Sequence, residues 1–377
     1  MKPKIFIAGS GGIGKAAGLI LMHAGDVEVE IVFGDLHLEV AQEAVDFVGL
    51  DKGLSVVQMP AEGSSSEMNS VLDDCAIILD CLPGSQAPRM AKLAREHHCH
   101  YANLTEYVDE TNQVIEIAEG ADTAFVLQTG LAPGFINVLA CKLYNRFTEK
   151  HGVTILDSMS MKVGALSKHA VSPTFYAFTW SPIGVATEYL RDAYIVRDFH
   201  KVKIPALSGR QRIIIEGDEY EDNFTSGGAA DLPEAFAGKI QDLDYKTLRY
   251  PGHYEWVEAA LTTIPHDQDR VKVLEKIMAY NVPSVEDDRV IIYAAVEGKD
   301  KNGRLRRKER SYEIEPCVIG GKRLRAIQST TAGALCEIAL MLLKEKRHGV
   351  IKQSMIDPDK FLNGSIISLI YGSYYEQ

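Results

Sequence analysis

At 377 residues the chain exceeds what one core usually holds, and at about 100–200 residues per domain it should fold as two. Its 40 basic residues against 52 acidic ones leave a formal charge of −12, which argues against general nucleic-acid binding and for small-molecule partners. Lys2-Pro3-Lys4 runs into a strand pattern with no apolar leader core, and no apolar segment approaches the roughly 20 residues of a membrane span, so a cytoplasmic, membrane-free protein is expected.

The first element, Lys4-Ile5-Phe6-Ile7-Ala8, reads as a buried strand and leads into Gly9-Ser10-Gly11-Gly12-Ile13-Gly14, a G-x-G-x-x-G turn. A helix-compatible segment, Lys15 to Ala24, follows. In such a turn Gly9 permits the bend, Gly11 lets backbone approach a pyrophosphate, and Gly14 allows close helix-to-strand packing. Ser10, Gly12 and Ile13 complete the cradle. The next strand, Glu30 to Gly34, ends in Asp35, about 20 residues beyond Gly14, where an acid can hold the ribose 2′-hydroxyl of NAD and repel the 2′-phosphate of NADP. The cofactor predicted is NAD.

Short apolar runs at 4–9, 30–35, 55–60, 76–81, 100–104 and 124–129 alternate with helical stretches, which specifies a doubly wound parallel sheet. Ligands of such sheets lie at the carboxyl ends of the strands, so Cys81-Leu82-Pro83, Glu106-Tyr107 and Thr129 should flank the nicotinamide. The run His97-His98-Cys99-His100 passes from helix end into strand, where adjacent side chains diverge, and no metal site is predicted. The six cysteines, at 75, 81, 99, 141, 317 and 336, form no C-x-x-C pair. Cys81 and Cys141 are expected to pack as inert thiols.

Beyond Pro133-Gly134 the pattern changes. A helix is predicted at about 135–149, a strand near 153–165, and then a long polar, turn-rich stretch to about 260. Arg289 to Glu297 and Arg310 to Glu315 read as strands joined around Asn302-Gly303, a hairpin signal. The basic residues Arg304, Arg306, Arg307, Lys308 and Arg310 alternate with acids nearby and read as a solvated hairpin arm. A helix over Thr331 to Lys346 follows, and the tail from about 347 should pack back on the first domain. The predicted division is a Rossmann domain over 1–131, completed by about 332–377, and an α+β domain with a mixed sheet over 132–331.

Four segments, Thr129 to Asn137, Phe178 to Gly184, Thr225 to Gly228 and Leu243 to His253, resemble the saccharopine dehydrogenase superfamily, and within it most the lysine 6-dehydrogenase branch. The resemblance covers nearly the whole chain. It implies nicotinamide-dependent chemistry at an amine-bearing carbon, with the second domain supplying substrate contacts and the surface of a homodimer or dimer of dimers. Saccharopine reductases resemble Leu-Asp-Pro-Gly where this chain has Leu131-Ala132-Pro133-Gly134, and carry small or basic residues where Asp35 stands. Two segments depart from the family's pattern: Val163 to His169 replaces a glycine-rich stretch, and Thr330-Thr331-Ala332-Gly333 replaces Thr-Thr-Gly.

Oxidising a primary amine requires its deprotonation, a hydride path and capture of the iminium by water. Glu106 could take or hold the amine proton, with a helix-dipole role as its alternative, and Tyr107 could hydrogen-bond the amine. Arg249 suits bidentate capture of an α-carboxylate, Tyr250 stands beside it, and His253 can move protons near neutral pH, although both Arg249 and His253 have structural alternatives. Trp180 could cover the ligand or belong to the core. Lys246 could be a proton shuttle or a second anion contact, with a solvated surface lysine as its alternative. Besides oxidative deamination of the L-lysine side chain, the readings are C–N chemistry on saccharopine or a carboxylated polyamine, and a catalytically silent NAD-binding sensor.

Overall fold

A computed structural model describes residues 2–170 and 172–374. The chain forms two compact units, one of Met1–Phe135, Cys317–Leu324 and Gln328–Gln377, the other of Ile136–Pro316 and Arg325–Ile327.

The first unit is built on β1 (Lys4–Ala8), β2 (Glu30–Asp35), β3 (Leu54–Gln58), β4 (Ile77–Asp80), β5 (His100–Asn103) and β6 (Ala124–Val126). Phe6, Ile7, Ile78, Leu79 and Phe125 are fully buried, as strands covered on both faces by crossover helices must be. All pairings are parallel. A seventh strand, Gly349–Ile351, lies beyond β6, so the order is Gly349–Ile351, β6, β5, β4, β1, β2, β3. The tail therefore packs back on the dinucleotide-type domain, as predicted, but as a strand where the sequence reads as loop. Three residues between His348 and Lys352 are too few for a periodic signal.

The helix Ala326–Lys344 starts ahead of its predicted position and is 19 residues long. By length and composition it could cross a membrane, contrary to the expectation that no segment comes near that size. The most apolar stretch is 89% buried within the fold, which marks it as a core helix.

In the second unit eight strands form one mixed sheet: β7 (Leu156–Ser167), β8 (Ala193–Arg197), β9 (His200–Ile204), β10 (Gln211–Ile215), β11 (Asp218–Phe224), β12 (Ile240–Arg249), β13 (Asp288–Lys299) and β14 (Leu305–Ile314). The order is β10-β11-β12-β7-β13-β14, with the β8–β9 hairpin hung on β12. Only β7 and β12 pair in parallel. Five of these strands, β8 to β12, fall where the sequence reads as turn-rich and polar. In β9 and β10 the reason is exposure, since His200, Lys201, Lys203, Gln211 and Arg212 face solvent and edge strands of that composition mimic loops. In β11 and β12 it is polar residues buried inside the fold, among them Asp222, Asn223, Lys246 and Arg249. The β13–β14 turn follows the Asn302-Gly303 signal, with Gly303 at φ +76° and Asp300 Oδ1 accepting from Asn302 N and Arg304 N. The basic arm is ion-paired at the surface, Arg306 with Asp300 and Arg307 with Glu297 and Glu309. Helices Pro182–Leu190, His253–Thr262 and Arg270–Asn281 share a core that includes Tyr176, Val185, Tyr254, Leu274 and Met278.

Candidate active site

The first unit contains every residue predicted to hold a dinucleotide, and it brings the glycine turn, Asp35 and the Cys81-Leu82 segment together. Gly9 has φ +87°, and its free side faces Leu82 Cδ2 and the Cys81 carbonyl at 3.0 and 3.1 Å, so a side chain there is excluded on two counts. A Cβ on Gly14 would collide with the Gly9 carbonyl oxygen. Gly11 differs: nothing lies within 4 Å of where its Cβ would be. The turn is therefore packed from below and open at Gly11. The helix Gly12–Ala24 that follows has no side-chain cap and no acid in its first turn, leaving its N-terminal N–H groups for an anion.

Asp35, at the end of β2, is tied into this turn. Its Oδ2 accepts from Ser10 N at 2.9 Å and its Oδ1 from His37 N at 3.2 Å. Ser10 Oγ donates to Gly34 O, and Gln328 Nε2 donates to Gly12 O. The open Gly11, the uncapped helix and the tethered acid fit a dinucleotide.

At the end of β4, Cys81 N donates to Ala8 O at 2.8 Å and Leu82 N to Asp80 Oδ1 at 3.1 Å. Tyr101 from β5 donates to Asp80 Oδ2 at 2.7 Å. Pro83 leads into the helical turn Gly84–Gln86. Burial pushes the Asp80 carboxyl up to about 6 against the pull of Tyr101, Leu82 N and Arg89. Burial also pushes the Cys81 thiol well up, and Cys141 to about 12, so both stay thiols. Asp80 is absent from the sequence reading. An acid closing the apolar run Ile77-Ile78-Leu79 is the signal that could have found it.

Glu106 and Tyr107 precede the helix Val108–Ile117 and are half-buried. The acids of that helix's first turn are Asp109 and Glu110, which leaves Glu106 outside it. The Tyr107 ring packs over Gly84, whose Cβ position lies 2.8 Å from Tyr107 Cδ2, so the β5 and β4 ends meet. Thr129 is buried, its Oγ1 and N both bound to Asn103 O at 2.9 and 2.8 Å. Thr129 thus ties β6 to β5 and has no donor left over for a ligand.

The histidine-rich run takes separate partners: His97 Nδ1 lies on Asp73, His98 Nδ1 on Asp122, Cys99 Sγ on the Cys75 carbonyl, and His100 Nδ1 accepts from Ala124 N.

In the second unit the residues predicted to contact substrate divide between the two faces of β12, because alternate side chains of a strand point oppositely. On one face Arg249, 1% exposed, donates from Nε to Tyr189 Oη at 2.7 Å and from Nη1 to Leu248 O at 2.9 Å. Its guanidinium lies 4.6 Å from the Tyr176 ring centroid, and Nη2 has no hydrogen-bond partner. His253, fully buried, must donate from Nδ1 to Thr174 O at 2.8 Å, so its Nε2 accepts from Tyr189 at 3.0 Å. Burial, with Arg249 nearby, pushes this histidine down to about 3. The structure corrects the expectation that His253 moves protons near neutral pH: the ring is neutral and both its nitrogens are engaged. Glu188, buried beside Arg249, has its carboxyl pushed up by burial while Arg249 pulls it down. Neither Glu188 nor Tyr189 is singled out by the sequence, although an acid in the apolar helix PIGVATEYL is a usable signal.

On the opposite face Lys246, 2% exposed, is neither a surface lysine nor free to shuttle protons or hold a substrate anion. Its ammonium meets Asp222 Oδ1 at 2.9 Å, Gly209 O at 2.7 Å and Gln211 Oε1 at 2.9 Å, and Asp222 also pairs with Lys162. Three acceptors use all three donors. Tyr250 donates to Ser167 O at 2.8 Å, accepts from Arg289 Nε at 3.2 Å and stacks with Tyr220. Trp180 packs against the helical core, and a Cβ on Gly184 would collide with its ring.

Comparison with known proteins follows the same division. Residues 5–126 match the domain family described as Saccharopine dehydrogenase NADP binding domain, and residues 130–364 match Saccharopine dehydrogenase C-terminal domain. The fold is shared with apo saccharopine dehydrogenase (L-Glu forming) from Saccharomyces cerevisiae, at a TM-score of 0.71 and 13% identity over 96% of each chain. It is also shared with a homospermidine synthase from Legionella pneumophila in complex with NAD, at 0.68 and 13% identity over 99% of this chain and 90% of that one. A mouse protein, alpha-aminoadipic semialdehyde synthase, mitochondrial, is 22% identical over 195 residues, 51% of this chain but only 20% of that protein's length. With both of its domain families matched in sequence order, the chain belongs to the saccharopine dehydrogenase family.

Proposed function

We propose that this chain is an NAD-dependent oxidoreductase acting on a C–N bond of an amino acid, with the side-chain amine of L-lysine as its substrate. The observation that carries the reading is Asp35, its two carboxylate oxygens held by Ser10 N and His37 N beside the open Gly11. A ribose 2′-hydroxyl can donate to that carboxylate, whereas a 2′-phosphate would be repelled by it. The domain family's description names NADP, and Asp35 is the reason to read NAD in this member.

The dinucleotide, when bound, supplies the hydride acceptor. The chain supplies the rest. The ε-ammonium of lysine starts at about 10.4, so a proton must leave before hydride transfer. Glu106, at the end of β5 and half-buried, is the group we assign to that proton, with Tyr107 holding the amine nitrogen. Loss of the carbon's hydride gives an iminium, water adds, and ammonia leaves an aldehyde. Arg249, whose Nη2 has no hydrogen-bond partner, is proposed as the contact for the substrate carboxylate; that nitrogen is buried against Tyr176 and Tyr189, which must move aside for a carboxylate to reach it. The reading includes small-molecule partners, no nucleic acid or membrane, a cytoplasmic location and a homodimer or dimer of dimers, which sedimentation and fractionation would check.

The test is the absorbance of reduced nicotinamide when the protein meets NAD or NADP with L-lysine, saccharopine or a carboxylated polyamine at mildly alkaline pH. Activity with lysine and NAD is expected, and Asp35→Ser should shift the NAD-to-NADP ratio of kcat/KM by at least about tenfold, some 1.4 kcal/mol. A wild-type preference for NADP overturns the cofactor assignment. Turnover only of saccharopine or the polyamine moves the substrate to that class, and NAD binding without turnover of any of them favours the sensor.

A further inference from the structure

We propose that Asp80 is a positioning residue of the dinucleotide site: its carboxylate holds the loop Cys81-Leu82-Pro83 against the glycine turn, and dinucleotide affinity falls when it takes a proton. The inference rests on the reading that the glycine turn binds a dinucleotide.

In this sheet β1 is followed spatially by β2 on one side and β4 on the other, so the crevice between β1 and β4 is the topological switch point at which open α/β sheets bind ligands. Asp80 pairs in register with Ala8, the last residue of β1, and is 3% exposed. From there it fixes the loop twice. Its Oδ1 accepts from Leu82 N, bending the chain back, and its Oδ2 accepts from Tyr101 of the neighbouring strand. Leu82 and the Cys81 carbonyl in turn fill the space beside Gly9. The carboxylate therefore sets how the loop presses on the turn, without reaching a ligand itself.

Few groups that titrate or carry charge bear on it. Arg89, on the helix Ala87–Glu96, faces Asp80 and is itself fixed by the carbonyls of Pro60, Ala61 and Gly63 and by Gln86, with Glu62 opposite. Tyr101 faces it from β5, and the Cys81 thiol adjoins it on its own loop. Burial is the main influence and leaves Asp80 titrating at about 6, inside the range where the protein can be handled. Above that pH two charge-assisted bonds hold the loop. Below it they become ordinary hydrogen bonds of about half the strength, and Tyr101 Oη can turn to the Ala87 carbonyl 3.3 Å away.

The experiment is calorimetric titration of the whole protein with NAD+ from pH 5 to pH 8, for wild type, Asp80→Asn and Tyr101→Phe. Wild-type affinity should weaken about three- to tenfold toward pH 5. Asp80→Asn should bind with the weaker, acid-side affinity at every pH. Tyr101→Phe removes a bond that lowers the Asp80 titration, so its midpoint should move to higher pH, which a merely structural role would not produce. A flat wild-type profile, an Asp80→Asn profile that still bends like wild type, or an unmoved Tyr101→Phe midpoint overturns the inference. Absence of NAD+ and NADP+ binding at any pH overturns instead the cofactor reading beneath it. If melting shows Asp80→Asn to be unfolded, the Tyr101→Phe midpoint decides alone.

Discussion

His253 sits in a chain of bonds that runs from Arg249 Nε to Tyr189 Oη, on to His253 Nε2, and from His253 Nδ1 to Thr174 O. Protonating Nε2 would break the bond from Tyr189 and place a second buried cation near Arg249. The consequence for stability has a definite sign. An unfolded histidine binds its proton at about 6.5, whereas the folded ring resists until about 3. The unfolded state therefore gains protons first as pH falls. Stability from this group is complete above about 6.5 and is lost progressively toward 3, amounting to about 2 kcal/mol by pH 5. Urea unfolding at pH 7 and pH 5 checks it: wild type should lose about 2 kcal/mol more than His253→Gln over that interval, and equal losses would refute the assignment. A histidine in a motif suggests proton transfer only if water can reach it, and nothing in the residue's neighbours along the chain announces that Tyr176, Tyr189 and Thr174 enclose it. Lys246 escaped the sequence for the same reason, since its partner Asp222 lies on the adjacent strand β11 and Lys162 on β7.

At the scale of elements, the glycine turn separates two uses of the same residue type. Gly14 is closed in by backbone, and alanine there must displace the Gly9 carbonyl. Gly11 is open, and alanine there meets nothing in the protein itself. Gly11→Ala should therefore melt like wild type yet bind NAD+ at least about tenfold more weakly, because its methyl group takes space the pyrophosphate needs. Gly14→Ala should lower both the melting temperature and binding. If Gly11→Ala binds normally, the ligand does not approach that backbone. This turn was legible because its signal is local: strand, glycines, helix and acid follow one another in the chain. Strands β1, β2, β4 and β6 were legible because burial on both faces writes continuous apolar runs. Edge strand β9 carries no such run, since solvent takes one face, β10 keeps only the short run Ile213-Ile214-Ile215 with Ile214 exposed, and the helix Ala326–Lys344 hid its first turn behind Gln328-Ser329-Thr330, polar residues that are buried only by packing.

For the whole molecule, the decisive feature is that the dinucleotide unit is assembled from both ends of the chain. The strand Gly349–Ile351 lies along β6, with Gly349 N donating to Thr123 O at 2.8 Å and Leu127 N to Ile351 O at 3.1 Å. Gln353 Nε2 then donates to Leu127 O at 2.8 Å. Further on, Tyr371 stacks on Phe135 with ring centroids 3.7 Å apart and donates to Thr330 O, while Glu337 Oε2 accepts from Ile366 N at the start of the last helix. Removing residues 349–377 would uncover the edge of β6, strip the stacking partner from Phe135 and take from Glu337 both its backbone donors and the segment packed over it. An unpaired apolar edge is costly, and each backbone hydrogen bond lost with the tail forfeits about 0.5–1.5 kcal/mol. The truncated chain should therefore melt at least about 10 °C lower or aggregate, a shift expected of several kcal/mol lost from a domain of this size. Hydrogen exchange should show β6 and the Thr129 segment losing protection first, because Thr129 hangs on β5 only while β6 keeps its place. A truncated chain with the wild-type melting temperature and an unchanged exchange pattern would mean that the tail merely rests on a sheet already complete with six strands.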